Sequence, residues 1–80
     1  MFDVVDAKYV IGYTIWLRFE DGTNGEIDLS KELVGALFEQ LRNREYFKQF
    51  SVNSDIGTIA WPNIADFAPE FLYEKVRVVA

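Results

Sequence analysis

The sequence predicts an α+β fold: a two-layer domain in which an antiparallel sheet of about five strands carries helices on one face. Three observations lead there. Residues 13–19 alternate apolar and polar side chains at period two, the mark of a half-buried strand. Glu20-Asp21-Gly22-Thr23 then places an Asp-Gly pair between two extended runs, and both residues tolerate positive φ. A segment from Lys31 to Gln49, and another beginning at Pro69, have helical rather than alternating character. The predicted order is a three-stranded meander, a helical segment, a hairpin and a C-terminal helix, all in one domain over residues 1–80.

Each element has its own reason. Phe2 to Tyr9 is rich in Val and aromatics and reads as the first strand, ended by Gly12. In the second, Tyr13, Ile15, Leu17 and Phe19 share one face, with Thr14, Trp16 and Arg18 on the other. The return strand turns Ile27 and Leu29 inward, with Glu26 and Asp28 outward. Ser30 followed by Leu33 is half of a capping signal. Gly35 interrupts the helical stretch, while Leu33, Leu37, Phe38 and Leu41 form its apolar stripe. Two short helices are expected to meet near Asn43, the second turning Tyr46 and Phe47 inward. Phe50 and Val52 mark a fourth strand, and Thr58 to Trp61 a fifth with Ile59 and Trp61 facing the core.

The run from Trp61 to Tyr73 is the densest in constrained residues. Pro62 biases Trp61 away from the α region, as suits a strand end. Asn63 tolerates a left-handed turn. Asp66 is expected to cap the last helix, Pro69 to occupy its first turn, and Glu70 to suit its dipole. Phe71 and Leu72 then pack that helix on the sheet, and Tyr73 is expected in the core with its hydroxyl at the surface. The segment 75–80 reads either as a short strand or as the helix end.

Composition excludes several functions. An 80-residue chain buries only about 60% of its unfolded surface, so it needs a dense core. Hydrophobic residues make up 50% of the chain, with seven Phe, four Tyr and two Trp, which argues against disorder. A net charge of −5 with scattered basic residues argues against a phosphate-binding surface, so no direct nucleic-acid binding is expected. No Cys and no His are present, which removes disulfides, thiolate metal sites and the usual general base. No apolar run reaches the roughly 20 residues that span a bilayer, and the first residues lack a signal-peptide pattern. A cytoplasmic location without membrane contact is the expectation.

Read together, Phe19-x-Asp21-Gly22, Asp28-Leu29, Phe38-x-x-Leu41, Tyr46-Phe47, Thr58-Ile59-x-Trp61-Pro62-Asn63 and Asp66-x-x-Pro69-x-x-Leu72-Tyr73 resemble domain-of-unknown-function family 2442. The resemblance runs from about Val4 to Tyr73. The Trp-Pro-Asn to Leu-Tyr part is fairly specific, whereas the Asp-Gly hairpin alone is not. Ile64 departs from the pattern, since a small residue, often Gly, is common there and Ile takes a positive φ only at a cost. The resemblance implies a small bacterial α+β protein with no assigned activity. Members stand alone or precede a helix-turn-helix domain, and some lie beside genes in an arrangement suggestive of toxin–antitoxin pairs. With no such extension after Ala80, any DNA contacts are expected to come from another chain.

The candidate residues each have a bland reading. Asp21, Gly22, Asp28, Trp61, Pro62, Asn63, Asp66, Pro69, Leu72 and Tyr73 carry the family signature and read as structural. Trp61 could stack a ligand, but at the end of an inward strand it reads as packing. Asp21, Glu26, Asp28, Asp66 and Glu70 could in principle hold a hard cation or form an acid–base pair, yet their spacing matches no calcium loop. No catalytic, cofactor or metal residue is therefore assigned. Trp16 is different: on the polar face, between Thr14 and Arg18, it either packs under another element or marks an interface. Stacking of Arg18 on a neighbouring ring is the bland alternative. The expected function is a regulatory protein–protein interaction module, antitoxin-like, with a protein partner or a second copy. A small-ligand or cation sensor using the acidic edge near the Trp-Pro-Asn corner is the alternative, and an enzyme is the least expected.

Overall fold

The computed structural model describes residues 2–79. Strands β1 (Val4–Ile11), β2 (Thr14–Phe19) and β3 (Asn24–Asp28) form an antiparallel sheet in that order. Strands β4 (Ser51–Asn53) and β5 (Thr58–Ala60) pair separately as a hairpin. Among the described residues five antiparallel strands are thus present, divided between two sheets. The hairpin sits against β1, where the Val4 N–H donates to the Gly57 carbonyl over 2.9 Å.

Register decides which face is buried. Ile15 lies opposite both Tyr9 and Ile27, and Leu17 opposite Ala7 and Gly25. Residues directly opposite project to the same side. Val4, Ile15, Leu17, Phe19 and Ile27 accordingly form one buried row, each at most 2% exposed. β1 begins and ends two residues later than its composition predicts. Its register shifts between Val4 and Asp6 and again between Tyr9 and Ile11, leaving the exposed Val5 and Val10 outside the ladder. Such bulges interrupt the period-two alternation on which a sequence reading depends.

The middle segment is a chain of single turns. A 3₁₀ turn at Ser30–Glu32 leads to helix α1 (Ala36–Glu39), a second 3₁₀ turn at Gln40–Arg42 and helix α2 (Arg44–Phe47). Gly35, at φ 96°, stops the first turn from continuing. Asn43 is extended and its side chain accepts the Tyr46 N–H over 3.2 Å, so the residue that ends one turn caps the next. Leu33, Leu41 and Phe47 are buried as expected, but Leu37 is 48% exposed. The break at Gly35 resets the helical phase, and Phe38 takes the inward position instead.

Helix α3 (Pro69–Val79) buries Leu72 and Val76. Residues 75–79 are therefore helical, while Ala80 lies outside the described residues. The helix lies over β3 at Gly25, where a Cβ would come within 2.9 Å of Val76 Cγ1. Phe47 is the centre of the core, with the rings of Tyr9, Tyr13, Phe50 and Trp61 around it at centroid distances of 5.2–6.4 Å. The Tyr13 hydroxyl also donates to the Arg42 carbonyl, fastening the second 3₁₀ turn to the sheet. Among the described residues no helix is long and apolar enough to cross a membrane.

Candidate functional site

The conspicuous corner is a tight hairpin turn. Ile64 N–H donates to the Trp61 carbonyl over 2.9 Å, and Trp61 N–H to the Ala65 carbonyl over 3.0 Å. Ala60 and Asp66 continue the pairing as a single bridge. This is a three-residue loop, Pro62-Asn63-Ile64, whose last position is left-handed and normally held by Gly. Ile64 holds it at φ 65°, with its side chain 78% exposed. The β2–β3 turn has the same bonds: Gly22 N–H to the Phe19 carbonyl and Phe19 N–H to the Thr23 carbonyl. There the left-handed position is Gly22, at φ 90°.

At the corner the side chains of Trp61 and Asn63 bond internally. Trp61 is 3% exposed, and its indole N–H donates to the Phe47 carbonyl over 2.8 Å. The Asn63 amide donates to the Leu37 carbonyl at 3.0 Å and to Gln40 Oε1 at 3.1 Å, while its oxygen accepts the Ala65 N–H. Pro62 is exposed in the turn, and Pro69 is the first residue of α3. Asp66 does not cap that helix. It is exposed, three residues before the first residue of α3, and pairs with Ala60 in an antiparallel bridge instead. The Leu72 N–H bonds instead to the Ala68 carbonyl, which makes Ala68 the residue that opens the helix.

The other signature residues fasten α3 to the β2–β3 turn. The Asp21 carboxylate accepts the Tyr73 hydroxyl at 2.6 Å and the Thr23 N–H at 2.9 Å. These bonds, that of Tyr73 first, hold its pKa below the ordinary carboxylate value. The half-buried Tyr73 ring packs edge-on against Phe19 at 5.0 Å, with its hydroxyl outward as expected. The Asp28 carboxylate accepts the Ser30 N–H at 2.9 Å, which lowers its pKa as well. The acidic residues are spread over the turn, the sheet and the corner. Among the described residues no group of three or more Asp or Glu could hold a metal ion.

The opposite face of the β1–β2–β3 sheet is built differently. Asp6, Arg18 and Asn24 form one cross-strand row; Lys8, Trp16 and Glu26 form the next; Ile11, Thr14 and Asp28 the last. Lys8, Glu26, Arg18, Asn24, Asp28 and Ile11 are exposed, and Ile11 reaches 70%. Trp16 and Thr14 are half-buried. The cation over Trp16 is Lys8, its Nζ 5.5 Å from the ring centroid, rather than Arg18. Arg18 leans across the strand to Asp6, at 3.9 Å. Lys8 and Glu26 were not connected with Trp16 in the sequence reading, because only the register brings them level with it.

A three-stranded antiparallel meander, a separate two-stranded hairpin and short helical segments define a small α+β fold. Within that class the chain belongs to the family described as Protein of unknown function (DUF2442), whose sequence model matches residues 4–78. Neither the curated proteins nor the solved structures yield a significant match.

Proposed function

We propose that this chain is a protein-interaction module in a regulatory role, the antitoxin-like half of a small two-protein system in the bacterial cytoplasm. The observation that carries the reading is Trp16: a large aromatic, half-buried, at the centre of a sheet face whose neighbours are exposed and charged. Tryptophan ringed by polar groups is the composition of an interface hot spot rather than of a solvated surface. The net charge of −5 suits a basic protein partner and steers its approach.

Co-expression with the product of the adjacent gene tests this. The expected result is co-purification and relief of any growth arrest that product causes. Trp16→Ala should abolish both while leaving the melting curve nearly unchanged. Absence of co-purification together with absence of any effect on growth contradicts the reading.

A further inference from the structure

We infer that the outer face of the β1–β2–β3 sheet is self-complementary and that its occupant is a second copy of this chain. The inference rests on the reading of that face as an interaction surface and adds a second copy as an occupant, one that competes there with the protein partner proposed above. Lys8, Trp16 and Glu26 stand level on three adjacent strands, Trp16 in the middle. Their backbones are about 5 Å apart, so a positive and a negative charge flank the ring on either side. Neither Lys8 nor Glu26 has an ion-pair partner among the described residues.

A two-fold axis running along β2 lays β1 of the second copy over β3 of the first. Trp16 then meets its counterpart across the axis, and the Lys8 of each copy faces the Glu26 of the other. One row further on, Asp6 of each copy faces the amide of Asn24. Arg18 lies near the axis, but its contact with Asp6 at 3.9 Å draws the two guanidinium groups to opposite sides. An axis across the strands does the reverse, setting Lys8 against Lys8 and Glu26 against Glu26. The charge pattern therefore selects the first arrangement, an isologous face-to-face pair of sheets about 10 Å apart. The three strands offer a footprint of roughly 300 Å2 per copy. Stable interfaces use about 800 Å2 per partner, so this dimer is of the weak, concentration-dependent kind.

Sedimentation equilibrium of the full chain up to about 1 mM provides the test. The wild type should shift from monomer toward dimer across the range. Lys8→Glu and Glu26→Lys should each be monomeric alone, because each sets like charges face to face. Mixed one to one, the two variants should associate again, since the introduced glutamate and lysine then face each other and the native Lys8 and Glu26 do the same. Circular dichroism melts of both variants verify that they fold. A wild type that stays monomeric to about 1 mM overturns the inference, as does association that survives either single variant or a mixture that stays monomeric. A monomer that still binds the adjacent gene product overturns self-association alone; a dimer that binds no second protein supports it and removes the two-protein reading instead.

Discussion

The two tryptophans define two regions built on opposite terms. Trp61 is 3% exposed, bonded through its indole to the Phe47 carbonyl and in ring contact with Phe47, Phe50 and Phe67. Trp16 sits half-buried in the middle strand of the meander, beneath the Lys8 ammonium. The first is surrounded by everything an aromatic needs inside a core. The second is only partly buried, with the Lys8 ammonium over its ring. A concentration of unusual residue types in sequence thus marks a structural joint, and the plainer strand carries the surface proposed for a partner.

Truncation should separate the two most sharply. Trp61→Ala removes core packing and leaves the Phe47 carbonyl unpaired, so a loss of about 3–5 kcal/mol is expected in urea unfolding. Trp16→Ala should cost less than about 1 kcal/mol, with its effect seen in association instead. Equal losses at the two sites would break the contrast.

The two hairpin turns sharpen it further. They share a hydrogen-bond scheme, but one has Gly22 and the other Ile64 at the left-handed position. Placing a β-branched residue there costs about 1–2 kcal/mol, so Gly22→Ile should destabilise by about that much. Ile64→Gly should stabilise by about 0.5–1 kcal/mol, once the extra freedom of glycine in the unfolded chain is counted. Thermal melts measure both; an unstable Ile64→Gly variant would mean that the isoleucine side chain packs where it stands. Asn63→Ala should lose about 1 kcal/mol with its amide bonds to Leu37 and Gln40.

The smallest effect concerns Asp21. Its lowered pKa means that the folded state favours the charged carboxylate. The associated stability is present above the ordinary carboxylate pKa and fades as pH falls through the lowered folded value. Tyr73→Phe removes the leading cause. A carbon-detected carboxyl titration should then show the Asp21 pKa moving back up toward its ordinary value, and the acid limb of the stability curve should become shallower. An unmoved pKa would place the cause elsewhere.

Much of the fold was legible in local patterns. The β2 alternation, the Asp-Gly turn and the breaks at Gly35 and Asn43 each involve residues within a few positions of one another. What escaped depends on distant partners. The division of five strands into two sheets is a long-range pairing, and the two bulges of β1 exist only relative to β2. Asp66 looked like a cap because acid-then-proline suits a helix start, yet it pairs with Ala60 in an antiparallel bridge instead. Trp16 was visible as the odd residue on a polar face. Its charged flanks, Lys8 and Glu26, come level with it only through pairings across three strands.

The central claim is that the Trp16 face of the sheet, and not the corner, is the working surface. A nitrogen–proton NMR concentration series on the wild-type chain tests it residue by residue. Shifts that grow with concentration at Asp6, Lys8, Trp16 and its indole, Arg18 and Glu26, with residues 61–66 unmoved, are the predicted result. Shifts centred on Leu37 and Ile64, or none up to about 1 mM, would contradict it.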